Sequence, residues 1–109
     1  MLPTASQLTN GERLRIARRR RNLTQAQFAR RFRVQLGAYK RIEADIARGI
    51  RAPAIKRVLP FEACRVLRVR KGLTLGELAP RIGVSKWWLC LMERGAAPAT
   101  TLLEFWTRR

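Results

Sequence analysis

The sequence predicts an all-α fold made of two similar helix-turn-helix units in tandem, packed together. Three observations carry this expectation. Leu23 to Glu43 reads as two short helices joined by a tight turn. The same pattern returns 50 residues later, from Leu73 to Glu93, without a gap. Apolar residues make up 47% of the chain, enough for a core, and in these stretches they recur at helical spacing.

In the first copy Thr24 can cap a helix, and Gln27 follows at the capping-box spacing. Phe28, Ala29 and Phe32 then lie at i, i+1 and i+4, on one helix face. Arg33 and Val34 break that period, and Tyr39 and Ile42 start a second apolar stripe. The stretch is about 20 residues, the length of a helix-turn-helix. Aligning residues 12–43 with 62–93 makes identities of Glu12/Glu62, Arg15/Arg65, Arg18/Arg68, Arg20/Arg70 and Leu23/Leu73. Thr24/Thr74, Ala29/Ala79, Arg31/Arg81, Val34/Val84 and Glu43/Glu93 complete the set. Ile16/Val66, Phe28/Leu78, Phe32/Ile82 and Ile42/Met92 stay apolar, and the capping box recurs as Thr74 and Glu77. Chance does not match identities and apolar pattern together, so the chain is an internal repeat.

In order, residues 1–8 read as a flexible arm. Thr9 or Asn10 caps a first helix with Glu12 in its first turn and Leu14, Ile16 and Ala17 on its apolar stripe. That helix ends in Arg18, Arg19, Arg20 and Arg21, where cations suit the dipole. Asn22 and its counterpart Gly72 both tolerate a left-handed C-cap, so both helices should stop there. A second helix runs from about Gln25 to Phe32, and a third starts near Gln35 or Leu36, with Gly49 as its stop after EADIAR. Pro53 can open a short fourth helix with Ile55 and Val58 inward, and Pro60 marks the junction between repeats. In the second copy a helix runs from Phe61 to Lys71. The next follows Thr74, with Pro80 inside it expected to shorten or kink it. Gly83 makes the turn, Ser85 caps a helix from Lys86 to Arg94, and Gly95 ends it. A last helix after Pro98 bears Leu102, Leu103, Phe105 and Trp106. The expected total is about eight to ten helices. The expected domains are residues 1–59 and 60–109.

The chain carries 24 Lys and Arg against 7 Asp and Glu, a net charge of +17. Such an excess calls for a polyanionic partner, and nucleic acid is the first expectation. An anionic membrane is disfavoured, because the cations do not lie opposite one broad apolar face. No stretch reaches 18 apolar residues, so no membrane span is expected, and the start lacks an apolar signal core, so export is not expected. Cys64 aligns with the core-pattern Leu14 and reads as a buried free thiol. With two unrelated cysteines and no histidine, neither a metal site nor a cofactor is expected. Catalytic residues are not expected either: carboxylates are few and no Gly-rich phosphate loop is present.

With these residues in view, each copy resembles the lambda-repressor/Cro, or xenobiotic-response-element, type of helix-turn-helix domain. The resemblance rests on RxxxxLTQAQFA and VQLGAYKRIE in the first copy. In the second it rests on RKGLTLGELA, RIGVSKWWLCLMERG, Pro98 and Leu102. It covers nearly all of the chain past residue 11. The first copy departs at Arg33, in place of the turn glycine, and at Ala44-Asp45, in place of Arg-Gly. The resemblance implies operator binding, usually by dimers, with the third helix of a unit in the major groove. It assigns a phosphate contact to Gln25, lost at the equivalent Leu75. It puts base reading at Leu36, Gly37 and Arg41, and at Lys86, Trp87 and Leu91. Gln35, Lys40 and Ser85 lie in the same zones.

Arg41 and Lys86 can donate to guanine, whereas Gly37 only allows close approach. Arg18 to Arg21 are either a solvated helix end or phosphate contacts. Trp87, Trp88 and Leu91 admit three readings: core packing against Trp106, a protein interface, or contact with thymine methyls or the DNA backbone.

The leading functional expectation is a sequence-specific DNA-binding transcriptional regulator, a repressor from a phage or mobile element. Its partner would be double-stranded DNA, with a homodimer through the C-terminal repeat, in the cytoplasm at the nucleoid. The alternative is an RNA-binding or protein-binding adaptor on the same duplicated fold.

Overall fold

The computed structural model describes residues 2–108; Met1 and Arg109, both within stretches read above, lie outside the described residues. The described chain is all-helical, with seven α-helices, a short 3-10 turn at Ala5–Gln7 and no strand. The helices are α1 (Asn10–Arg20), α2 (Gln25–Arg31), α3 (Leu36–Glu43), α4 (Pro60–Arg70), α5 (Leu75–Ile82), α6 (Lys86–Glu93) and α7 (Thr100–Thr107). Moved by 50 residues, α1, α2 and α3 fall on α4, α5 and α6. The chain divides into two compact units: Ala5–Lys56, and residues 57–108 with residues 2–4.

Side-chain chemistry sets the helix starts. The Thr9, Thr24 and Thr74 hydroxyls accept the N–H groups of Glu12, Gln27 and Glu77, whose side chains accept the cap N–H in return. Each box satisfies two donors that the first turn leaves over. The Ser85 hydroxyl accepts the Trp88 N–H at 3.0 Å. Leu59 has no hydroxyl to offer, so α4 keeps half a box: the Glu62 carboxylate accepts Leu59 N–H at 2.9 Å.

The helix ends repeat as closely. Residues 22, 33 and 45 have φ of 55°, 57° and 62°, and their counterparts at 72, 83 and 95 have 70°, 82° and 78°. Each ends a helix in the left-handed region. Reaching back from the next residue, Leu23 N–H bonds Arg18 C=O at 3.1 Å, as Leu73 N–H bonds Arg68 C=O at 3.1 Å. Val34 to Ala29 and Val84 to Ala79 form the same link. These are Schellman closures, and they favour glycine at the left-handed position. The second copy has Gly at all three positions, whereas the first has Asn22, Arg33 and Asp45.

Each unit has its own core. In the first, Leu14, Ala17, Phe28, Ala29, Tyr39, Ile42 and Ile50 are buried together. In the second, Cys64, Leu78, Ala79, Leu89, Met92 and Leu102 are. Phe28 meets Phe32 and Tyr39 edge-to-face, so aromatic bulk fills the first core from within α2 and α3. The second core has Leu78, Ile82 and Leu89 at those places, and α7 adds Leu102, Leu103, Phe105 and Trp106 from outside. Close packing demands that missing volume be replaced, and a whole helix replaces it.

Four expectations need correction. The third helix stops at Glu43 and not at Gly49: Asp45 takes the left-handed conformation and Ile46 N–H closes back on the Arg41 carbonyl at 2.9 Å. The fourth helix expected at Pro53 does not form: no residue from 48 to 59 is helical, although Ile55 does pack inward. Pro53 forces Ala52 towards extended backbone, and Asn10 fixes it there, donating to Ile50 C=O and accepting Ala52 N–H, both at 2.9 Å. The helix total is accordingly below the expected range. The flexible arm is not one: Leu2 packs against the second unit's core, Pro3 and Leu8 are buried, and residues 5–7 form the 3-10 turn. Pro80 does not shorten its helix, since α5 is one residue longer than α2.

Two positions have changed together between the copies. Gly11 N–H donates to the Asp45 carboxylate at 2.9 Å, and the Thr9 hydroxyl donates to it at 2.6 Å. A Cβ on Gly11 would run into the Glu43 carbonyl oxygen. In the second copy the equivalents are Phe61 and Gly95, and a Cβ on Gly95 would meet the Phe61 ring at 2.8 Å. Small against large has become large against small. Gly11→Ala and Gly95→Ala should each destabilise their unit by about 1–3 kcal/mol. Arg33→Gly should stabilise the first unit by up to about 1 kcal/mol, by relieving left-handed strain. Urea denaturation of the three variants measures all of these.

Candidate nucleic-acid interface

The third helix of each copy is held from behind by one buried ion pair. Glu43 closes α3 with its carboxylate 1% exposed, and Arg18 from α1 reaches it with its side chain 12% exposed. Arg18 Nε donates to Oε2 at 3.0 Å, Nη2 donates to Oε1 at 3.0 Å, and Nη1 donates to the Leu23 carbonyl at 3.1 Å. Arg68 and Glu93 repeat the arrangement, with Nε to Oε2 at 2.8 Å, Nη2 to Oε1 at 3.0 Å and Nη1 to the Leu73 carbonyl at 2.8 Å. Two parallel bonds fix the angle of the pair as well as its distance. The third bond fastens the turn after the first helix to the same guanidinium.

Two further groups converge on Glu43: Arg15 Nε at 3.3 Å and the Gln25 amide at 3.2 Å. Burial pushes the Glu43 carboxyl up, but the hydrogen bonds and charges of Arg18 and its neighbours outweigh it and hold the group below the ordinary carboxylate range. Burial, with Glu43 adjacent, drives the Tyr39 phenol well above its ordinary range, so Tyr39 stays neutral. The Tyr39 hydroxyl lies near this cluster but has no hydrogen bond of good geometry. Burial also pushes the Cys64 thiol up to about 12, and Cys64 is a free, buried core residue as the repeat implied.

Held this way, α3 buries Tyr39, Ile42 and Glu43 and turns Leu36, Gly37, Lys40 and Arg41 outward, with Gln35 exposed at its cap. A Cβ on Gly37 would meet nothing within 4 Å, so bare backbone lies open there. In α6, Leu89, Met92 and Glu93 are buried. Ser85, Lys86 and Trp87 are exposed, Leu91 is half-buried, and the Ser85 hydroxyl is taken by its cap. The core reading of the tryptophans does not hold: Trp87 is 68% exposed and Trp88 41%. Trp106 packs instead with Phe105, edge-to-face.

The four-arginine run divides. Arg18 points inward to Glu43. Arg21 folds back, donating to the Ala17 carbonyl at 2.8 Å with its guanidinium 5.9 Å from the centre of the Phe28 ring. Arg19 is half-buried and Arg20 exposed. Gln25, at the start of α2, is half-buried and bonded to Glu43. Its counterpart Leu75 packs on the second core.

A further set of cations lies outside the residues that the resemblance singled out. Arg48, Arg51 and Lys56 are exposed on the non-helical segment between α3 and α4, while Ile50, Ala52 and Ile55 face the core. The signal was present, since no acidic residue stands between Asp45 and Glu62.

Most of the acidic residues tie the fold together. Of the seven carboxylates, Glu12, Glu62 and Glu77 cap helices, Glu43 and Glu93 hold the buried pairs, and Asp45 binds Thr9 and Gly11. Glu12, Glu43, Glu62 and Glu93 are buried, so only Asp45, Glu77 and Glu104 stand exposed among the surface cations.

Comparison with known protein families, curated proteins and solved structures found no match. No described helix is long and apolar enough to cross a membrane. No described group of three or more His, Cys, Asp or Glu residues could hold a metal ion.

Glu43→Ala leaves Arg18 without its partner and should cost the first unit about 3–5 kcal/mol. The pair also sets a pH response. The Glu43 carboxyl titrates lower folded than unfolded, so its stabilisation is complete at neutral pH. It should fade as the pH falls below the unfolded value of about 4.3 and through the folded one. Urea midpoints at pH 6 and pH 3 should differ more for the wild type than for Glu43→Gln.

Proposed function

We propose that the chain is a sequence-specific DNA-binding transcriptional regulator that seats α3 in the major groove of double-stranded DNA. One observation carries the reading. α3 is a rigidly anchored helix whose free face combines Lys40 and Arg41 with an open backbone at Gly37. An arginine on such a face can bond guanine bidentately, and a glycine lets the helix sit deep. The outward cations of the first unit, Arg20, Arg48, Arg51 and Lys56 among them, supply phosphate contacts around it. Gln25 bridges the two roles, since a donor held on Glu43 is already oriented at the start of α2. Repression, and an origin in a phage or mobile element, rest on the resemblance to the lambda-repressor/Cro type. A nucleoid location in the cytoplasm follows from the same reading. No catalytic role is part of it.

The second reading, an RNA- or protein-binding adaptor, has one observation in its favour: α6 exposes Trp87 and Trp88 where α3 has Gly37 and Ala38, and has Cys90 and Leu91 where α3 has Lys40 and Arg41. Footprinting upstream of the chain's own coding sequence separates the two. Discrete protection supports the regulator, and uniform salt-sensitive coating supports the adaptor.

Arg41→Ala should cost about 1–3 kcal/mol on the specific site, relax preference at one base position, and cost far less on random DNA. Equal losses on both would remove Arg41 from base reading. Gly37→Ala should stabilise the free protein by about 0.5–1 kcal/mol yet weaken specific binding, because the new methyl stands where the groove floor must come. Arg20→Ala should weaken all sequences alike and lower the salt slope by roughly one. An unchanged slope removes Arg20 from the interface.

A further inference from the structure

α6 presents an aromatic pair to solvent. The Trp87 and Trp88 ring centroids lie 6.5 Å apart, with the planes at 46°. Leu89 and Met92 are fully buried behind them, so this exposure is not a helix turned out of its core. Large exposed aromatic surface of this kind marks a contact.

Charge selects the occupant. The helix has one acidic residue, Glu93, buried on Arg68. Its remaining charge, Lys86 at the start and Arg94 at the cap, is cationic and exposed. A second copy would bring the same cations and another +17 of net charge to the contact. A ligand with flat apolar faces on an anionic backbone suits both features. In a duplex those faces are stacked away and only base edges are reachable. An indole offers a single N–H and no acceptor, which reads edges poorly. In a single strand the faces are open, and aromatic rings set among cations bind them.

We propose that α6 is a stacking platform for the unpaired bases of a nucleic-acid strand, with Trp87 and Trp88 as the stacking rings and Lys86 and Arg94 on the phosphates. This rests on the nucleic-acid reading above, but not on α3 reading a duplex. Single-stranded DNA and RNA share the required chemistry and differ at the 2′-hydroxyl.

The test titrates the full chain with a thymidine oligomer of about 12 nucleotides, the matching uridine oligomer and a duplex, following tryptophan emission. Both tryptophans of α6 are exposed, so stacking should quench them with one or both single strands, and more than with duplex. A preference between the two strands names the natural source. Trp87→Ala should remove most of the quench and weaken oligomer binding about tenfold, without changing its salt slope. Trp87→Tyr, which keeps a flat ring, should retain most of the affinity. Lys86→Ala should instead reduce the slope by about 0.7. Helical circular dichroism shows that each variant is folded.

The proposal is overturned if single strands leave the emission unchanged, or if Trp87→Ala binds them as well as wild type. It is also overturned if sedimentation without nucleic acid shows a dimer that Trp87→Ala dissociates, which makes the patch an interface between copies. A persistent duplex footprint without quenching sinks the platform alone. Absence of both single-strand and duplex binding at low salt sinks the nucleic-acid reading with it.

Discussion

In each copy a glutamate closes the third helix and is gripped by an arginine from the first, while that arginine's remaining nitrogen holds the carbonyl of the leucine between them in the chain. The pair therefore ties three segments at one point. Removing either partner leaves a charge buried without compensation, which is far worse than never having had the pair. That asymmetry accounts for the identity of Arg18 with Arg68 and of Glu43 with Glu93 while much around them differs. Everything the third helix displays outward is aimed by this tie and by the apolar residues one turn away. Tyr39 and Ile42 serve in one copy, Leu89 and Met92 in the other.

The use of carboxylates has a consequence beyond stability. A chain with 24 cations and 7 anions spends nearly all of its anions on caps, buried pairs and one loop tie. Capping carboxylates sit where the helix dipole and the free N–H groups hold them. Few are left to screen the surface cations. The positive field that would draw in a polyanion follows from the excess of cations in the sequence, and the burial of four carboxylates leaves it less screened at the surface.

Within this shared frame the copies have moved apart in compensated steps. Gly11 with Asp45 has become Phe61 with Gly95. The aromatic filling of Phe28 and Tyr39 has become leucine plus the outer helix α7. A half-buried glutamine-to-glutamate bond at Gln25 has become an apolar contact at Leu75. These changes lie in the cores and at close contacts, and the exposed faces of the third helices differ as well. One copy is left with a basic face on α3 and the other with an aromatic one on α6.

The sequence by itself determined the repeat, the threonine and serine caps, the buried Cys64 and the inward face of α3, because these depend on local spacing and on residue types with strong backbone preferences. It also identified Trp87 as anomalous. Only the tertiary structure decided what depends on partners distant in the chain. Arg18 looked like one of four equivalent arginines until Glu43, 25 residues on, drew it inward. Pro53 looked like a helix start until Asn10, about 40 residues earlier, held the segment extended. Residues 2–8 looked unattached because their contacts are not local. The tryptophans were undecided between core and surface because helix rotation is set by which residues the rest of the fold can bury. Leu89 and Met92 took those places, and Trp87 was left outside.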